Sequence, residues 1–174
     1  MFLDETGFLL QPLNRRTWAP RGETPVQYAS ARHDRLSAIG AVTLSPQRQR
    51  INTYWQFYRG NVVATDVVAF LRDLHRQNGR ELIVVLDRFN VHRKAARLLK
   101  EQSADWATFE WLPAYAPDLN PVEAMWSCTK YSDLANYAPA TLDDLDTAAT
   151  DSLISQYGDF RTKRSYFKTA QLKL

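Results

Sequence analysis

One stretch decides the fold class of this 174-residue chain: residues 82–87, which read LIVVLD. Five consecutive aliphatic residues between polar neighbours are typical of a strand that is buried on both faces of a sheet. Open sheets with parallel strands carry their functional sites at the carboxyl ends of those strands. Asp87, which follows the aliphatic run directly, is therefore a candidate functional residue.

Strand and helix signals continue on both sides of this stretch. Before it, we predict three strands, the first ending at Asp4, then 36–44 and 51–58, and a helix from Val63 to Asn78 that Gly79 closes. After it, we predict a helix over 92–102, a strand over 108–112, and helices over 121–136 and 142–157. This order describes an α/β fold with a mixed five-stranded sheet, three antiparallel strands and then parallel strands, flanked by helices.

Composition excludes several classes of protein. Hydrophobic residues make up 45% of the chain, which indicates a packed globule and not a disordered chain. The one cysteine, Cys128, allows no internal disulfide and fits a reducing compartment. No apolar run approaches the roughly 20 residues that a membrane helix needs, so we expect no membrane partner.

Charge is distributed unevenly along the chain. The net charge is only +3, but residues 1–100 hold 16 Lys+Arg against 8 Asp+Glu, and residues 101–160 hold 1 against 11. The last segment, 161–174, holds 5 against 0. Because most of the cations are arginines, which suit phosphate groups, an anionic polymer is a plausible partner, and a solvated charged surface is the plainer alternative.

Three carboxylates stand at informative positions: Asp4 at the end of the first predicted strand, Asp87 after the buried run, and Glu123 in the first turn of a helix. Each has a structural alternative. Glu5 could serve in place of Asp4, because strand alternation turns only one of the two to a given face. Asp87 could cap the next turn, and Glu123 could complete a capping box that begins at Asn120.

If the first and fourth strands are neighbours in the sheet, a metal site is favoured. The backbones of Asp4 and Asp87 would then lie roughly 5 Å apart. Converging carboxylates repel one another and call for a cation, and oxygen ligands favour Mg²⁺ or Mn²⁺. Zinc is not expected, because the three histidines, His33, His75 and His92, show no tight ligand spacing.

Three blocks of sequence resemble one known family. They are residues 2–8 (FLDETGF) with 16–22 (RTWAPRG), residues 84–87 (VVLD) with His92 and Arg93, and residues 112–123 (LPAYAPDLNPVE) followed by Trp126 and Lys130. In this order they resemble the catalytic domain of mariner-type transposases, in the bacterial insertion-sequence branch of the DDE superfamily. The third block is the most specific, and 35 residues separate Asp87 from Glu123, close to the spacing in that family.

The resemblance implies a fold, a metal and a reaction. The fold would be ribonuclease-H-like, with Asp4, Asp87 and Glu123 as the catalytic and metal-binding triad and two Mg²⁺ or Mn²⁺ ions as cofactor. The reaction would be hydrolysis of DNA phosphodiester bonds at transposon ends, followed by strand transfer into target DNA. The implied partners are double-stranded DNA and, for the complete protein, a second copy in a homodimer.

The resemblance also implies roles around the triad. Asp118 and Asn120 would shape the loop that delivers Glu123. The DNA backbone would lie near His92, Arg93 and Lys130. We expect further DNA contacts from Arg88 beside the triad and from three arginines of a turn-rich segment, Arg15, Arg16 and Arg21.

Some features depart from the family pattern. Arg88 stands where relatives carry asparagine, and a cation there could bind a phosphate or compete with a metal. Residues 1–174 are expected to form a single catalytic domain, with the core at about 1–136 and a C-terminal helix and basic tail at 137–174. We expect the chain to lack the helix-turn-helix domain that precedes this domain in relatives.

Two alternatives to an active transposase domain stay open. One is an inactive or truncated remnant that only binds DNA or assembles, and the other is a different nuclease of the same fold. The basic tail would be either a DNA contact or a frayed end. In each case we expect a bacterial cytoplasmic protein that associates with the nucleoid.

Overall fold

The computed structural model describes residues 1–28 and 34–174, so His33 lies outside the described residues. The strands are β1 (Phe2–Leu9), β2 (Arg35–Leu44), β3 (Ile51–Arg59), β4 (Leu82–Leu86) and β5 (Ala107–Trp111). The helices are α1 (Ala64–Asn78), α2 (Asn90–Glu101), α3 (Pro121–Cys128), α4 (Leu142–Gly158) and α5 (Phe160–Thr169). A 3₁₀ turn (Pro117–Leu119) precedes α3 and a π-helical turn (Thr129–Asp133) follows it.

The five strands form one mixed sheet in the order β3-β2-β1-β4-β5. β1, β2 and β3 are antiparallel, whereas β4 is parallel to β1 and β5 is parallel to β4. The predicted mixed sheet and the ribonuclease-H-like arrangement are thus confirmed.

The first strand is longer than predicted. We expected it to end at Asp4, but β1 pairs with β2 as far as Leu9, where it lies opposite Arg35. The polar residues after Asp4 stay in the strand because β2, which is almost wholly buried, supplies a partner for each of them. Asp4 therefore projects from the middle of a strand and not from its end.

Two hydrophobic cores lie on the two faces of the sheet. One packs α1 and α2 against the face that carries Leu3 and Ile39, and the other packs α3, α4 and α5 against the face that carries Phe8 and Leu36. Because successive side chains of a strand point to opposite faces, β1 contributes to both cores.

β4 is buried on one face only, contrary to our expectation. Leu82, Val84 and Leu86 are buried, but Ile83 is 62% exposed. The reason is the placement of the C-terminal helices, which cover β1, β2 and β3 and do not extend over β4. The aliphatic run therefore predicted the strand correctly but did not show how many of its faces other elements cover.

The predicted basic tail is mostly a helix. Asp159 caps α5, since its carboxylate accepts a hydrogen bond from the Arg161 backbone N–H at 2.8 Å. Tyr166 and Phe167 of this helix are almost fully buried in the second core. A frayed end, one of the two alternatives for this segment, is thus wrong for residues 160–169.

Across the two described ranges, no helix has both the length and the apolar character that a bilayer crossing requires.

Candidate active site

Carboxylates from three separate elements line one cavity of about 600 Å³. Asp4 comes from β1, Asp87 follows β4, and Glu123 lies in the first turn of α3. Phe2 of β1 pairs with Val85 of β4, so Asp4 and Asp87 each lie two residues beyond a paired position. The predicted neighbourhood of the first and fourth strands is confirmed, and the three predicted triad residues are brought together.

Asp4 and Glu5 point to opposite faces of the sheet, as strand alternation requires. Asp4 lies on the face that α3 covers and lines the cavity with Glu123. Glu5 lies on the face that α2 covers and bonds His92 there. Glu5 is therefore not interchangeable with Asp4.

Asn120 fixes the start of the helix that carries Glu123. Its side-chain oxygen accepts a hydrogen bond from the Val122 N–H, and its side-chain amide donates to the Leu3 carbonyl, both at 3.2 Å. This second bond ties the helix start to β1, one residue before Asp4. The capping box that we considered for Glu123 does not form, because the Asn120 N–H donates to Pro117 instead.

Crowding of acidic groups perturbs the pKa values in this cavity. Burial, followed by the negative charges of Glu123 and Glu5, raises the pKa of Asp4 well above its usual range. Burial also raises the pKa of Glu123, although the positive charge of Lys130 and a hydrogen bond from Asp4 oppose that rise. Both shifts disfavour the ionised forms, which a bound cation would favour.

Asp87 is held by two hydrogen bonds that end on the same oxygen. Asp87 Oδ1 lies 2.9 Å from the Phe89 backbone nitrogen and 2.5 Å from His92 Nδ1. The capping role that we considered for Asp87 is thus present, and it leaves the other oxygen, Oδ2, for a ligand.

His92 is 1% exposed and lies between two carboxylates. Its Nε2 is 2.6 Å from Glu5 Oε2, opposite the contact to Asp87. Burial alone would lower the pKa of His92, but the hydrogen bonds and charges of Glu5 and Asp87 outweigh it and raise the pKa to about 9. In this structure neither ring nitrogen is free to reach a DNA phosphate.

Lys130 lies in the π-helical turn, two helical turns after Glu123. Its ammonium group bonds the Thr6 hydroxyl and stands 5.2 Å from the centre of the Phe8 ring. Burial lowers the pKa of Lys130, while the charges of Glu123 and Asp4 act against that change. π-Helical turns often occur at functional sites, and this one gives the acidic cavity a nearby cation.

The other predicted DNA contacts fall into two groups. Arg88 and Arg93 are exposed and line the cavity. Arg15, Arg16 and Arg21 are exposed, lie outside the helices and strands, and do not line it. The backbone N–H of Arg15 donates to the Asn136 side chain at 2.7 Å, and its guanidinium lies 5.6 Å from the centre of the Tyr131 ring.

Sequence reasoning missed two residues and one side-chain pairing of this region. Phe89 and Tyr115 line the cavity and are 58% and 103% exposed, and Tyr115 has a positive φ of 57°. The pairing of Glu5 with His92 was also missed. Alternation in β1 signals the side on which Glu5 lies, but no local signal shows that α2 brings His92 there.

The oxygen-only donor set suits a hard divalent cation. Within residues 1–28 and 34–174, no three His, Cys, Asp or Glu side chains are grouped so as to hold a metal ion as they stand. The three cavity carboxylates are nevertheless ligands that Mg²⁺ and Mn²⁺ prefer. Burial raises the pKa values of Asp4 and Glu123, and a bound cation would favour the ionised form of both carboxylates.

Comparison with known proteins identifies the family. The family model described as DDE superfamily endonuclease matches residues 1–146. The chain belongs to this family. No curated protein matches the chain.

Several solved structures of Mos1 complexes resemble this DDE domain. A Mos1 transposase paired-end complex with the left transposon end has a TM-score of 0.66 at 17% identity, and the Mos1 strand transfer complex has a TM-score of 0.61 at 17% identity. A Mos1 mariner paired-end complex with Mn gives 0.64, also at 17% identity. The DDE domain is covered over 98% of its length, whereas it spans only about half of the Mos1 chains, 51–52%.

Proposed function

We propose that this DDE domain catalyses the divalent-metal-dependent cleavage of DNA phosphodiester bonds and the strand transfer of cut-and-paste transposition. One observation carries the proposal: carboxylates from β1, from the end of β4 and from α3 line a single cavity. Membership of the DDE endonucleases and the likeness to Mos1 transposase complexes support it.

Asp4, Asp87 and Glu123 are the proposed ligands of Mg²⁺ or Mn²⁺, two ions in the implied mechanism. When bound, such ions activate an attacking oxygen and stabilise a leaving one in phosphoryl transfer. The chain itself would contribute orientation and charge. Arg88 and Arg93 can hold phosphates at the rim of the cavity through forked, charge-assisted hydrogen bonds.

We propose that the DNA duplex also contacts basic surface away from the cavity. The exposed face of α5 carries Arg161, Arg164 and Lys168, which line a groove of about 540 Å³. No acidic residue occurs in 161–174, so this face attracts a polyanion. The contacts of Arg15, Arg16 and Arg21 with DNA, the homodimer, and the association with a bacterial nucleoid remain predictions.

The test is a nicking assay on supercoiled plasmid with Mn²⁺ or Mg²⁺, because nicking of a plasmid can be measured without a recognised end sequence. Asp87→Asn should abolish metal-dependent nicking. Asp73→Asn is the matched control, because Asp73 bonds Arg76 on α1, away from the cavity. Nicking by Asp87→Asn at the unaltered rate would exclude Asp87 from the reaction.

Arg88 favours one second candidate, a DNA-binding module without catalysis. Its guanidinium lines the cavity and can occupy the space of a cation. Calorimetry with Mn²⁺ distinguishes the two functions. Mn²⁺ binding that is lost in Asp4→Asn supports the enzyme, whereas salt-sensitive DNA binding without any Mn²⁺ binding supports the module.

A further inference from the structure

Glu5 and His92 form a buried connection behind Asp87. Glu5 reaches this position because it follows Asp4 in β1 and points to the opposite face. His92 lies in the first turn of α2, five residues after Asp87. The connection therefore joins the strand that carries one proposed ligand to the loop that carries another.

The contacts of His92 have a defined direction. Nδ1 is 2.5 Å from Asp87 Oδ1, and Nε2 is 2.6 Å from Glu5 Oε2. Each of these contacts joins one ring nitrogen to a carboxylate oxygen, which can accept a hydrogen bond. The ring is thus clamped between two acceptors and cannot rotate without breaking both bonds.

Stability alone is a weak reason for this arrangement. The side chain of Glu5 is only 17% exposed, and among the described residues its buried Oε1 has no hydrogen-bond partner. Burying charged groups costs free energy that the attraction between them often fails to return. A packed apolar pair would fill the same space at a lower cost, so the charged pair points to a role in the site.

We propose that Glu5 and His92 are positioning residues for Asp87. His92 holds Asp87 Oδ1, so that Oδ2 stays directed to the cavity, and Glu5 fixes the orientation of the ring. This inference rests on the proposed function, because it assumes that Asp87 binds the divalent cation. Hydrogen-bond partners of metal ligands commonly change metal affinity when they are removed.

The experiment measures Mn²⁺ affinity by electron paramagnetic resonance, with thermal unfolding as a check on the fold. His92→Ala should lower Mn²⁺ affinity by about 10- to 100-fold, and Glu5→Gln by a smaller factor. His92→Asn, which keeps an N–H donor near Asp87, should recover part of the loss. His75→Ala is the matched control, since His75 stacks on Trp106 away from the carboxylates.

A double variant tests whether Glu5 acts through the ring. Glu5→Gln combined with His92→Ala should bind Mn²⁺ no more weakly than His92→Ala alone. In the nicking assay, higher Mn²⁺ concentrations should restore the rate of His92→Ala, which a purely structural defect would not allow.

The outcomes separate this inference from the proposed function. If the unaltered chain binds no Mn²⁺, the proposed metal chemistry fails and the positioning role fails with it. If the unaltered chain binds Mn²⁺ and the Mn²⁺ affinities of both Glu5→Gln and His92→Ala lie within about twofold of its affinity, only the positioning role is overturned. Glu5→Gln decides the matter if His92→Ala does not fold, because it removes a charge and almost no volume.

Discussion

Trp126 lies so close to the backbone of Gly40 that a Cβ atom on Gly40 would stand 2.3 Å from Cζ2 of the indole. Gly40 is the β2 partner of Asp4, and Trp126 follows Glu123 by three residues in α3. The contact therefore sets how closely the helix of one candidate ligand approaches the strand of another. Only a residue without a side chain permits that approach.

Gly40→Ala should push α3 away from the sheet. Since Trp126 is 1% exposed and has no room to move, we expect a loss of about 1–3 kcal/mol in the free energy of unfolding, together with weaker Mn²⁺ binding. Urea denaturation measures the first effect. Gly158→Ala is the control, because nothing lies within 4 Å of its added Cβ, and it should leave stability unchanged or slightly raised. Equal stability of the two variants would contradict this account.

Asn120→Ala should loosen the start of α3. The change removes the cap on Val122 and the bond to the Leu3 carbonyl, so we expect a cost of about 1–2 kcal/mol and a misplaced Glu123. Asp118→Ala, on the same loop, should cost less than about 0.5 kcal/mol, as is usual for surface residues. Chemical denaturation measures the free energy of unfolding of both variants. A larger loss in Asp118→Ala than in Asn120→Ala would show that Asn120 does not fix the start of α3.

The element order as far as α4 and the three candidate carboxylates could be predicted from sequence because each is marked by a local pattern. The aliphatic run of 82–86 marks β4, and the block that ends at Glu123 combines loop prolines with a helix start. The partner of Glu5 could not be predicted, since His92 lies 87 positions further along the chain and only the packing of α2 brings them together. The coverage of β4 and the formation of α5 likewise depend on tertiary contacts, which the local spacing of hydrophobic residues does not show.

Asp4→Asn should stabilise the metal-free protein while it removes a proposed ligand. The raised pKa of Asp4 means that its ionised form is unfavourable, first because the side chain is buried and then because Glu123 and Glu5 are close, and a neutral amide avoids both costs. A gain of about 1 kcal/mol would raise the Tm by roughly 2–4 °C. Calorimetric scans in the presence of a chelator test this, and a lower Tm would contradict this account of Asp4.

Added metal should reverse the order of the Tm values of the unaltered chain and Asp4→Asn. Mn²⁺ at 100 times its Kd stabilises a folded site by about 2.7 kcal/mol, and Asp4→Asn should lose most of that gain. Added Mn²⁺ should therefore raise the Tm of the unaltered chain above that of the variant. An identical shift in both proteins would place the bound ion elsewhere.

Replacement of the α5 cations should weaken DNA binding and make it less dependent on salt concentration. Each phosphate contact contributes about 0.9 to the slope of log Kobs against log salt concentration. Replacing Arg161, Arg164 and Lys168 by Ala should therefore reduce that slope by about 2–3 if all three contact phosphates. Their side chains are exposed on the face opposite the buried Tyr166, so the fold should remain intact.

A charge-matched triple variant separates this contact from the effect of net charge. Its three arginines already have partners: Arg59 with Asp143, Arg72 with Gln102, and Arg76 with Asp73. Their replacement by Ala removes the same charge but should leave the slope nearly unchanged. Fluorescence anisotropy with a labelled duplex over about 50–200 mM salt, across which such affinities fall by orders of magnitude, measures both variants. Equal slopes in the two would show that α5 acts only through net charge, because a direct contact must release more counterions than an arginine that is engaged elsewhere.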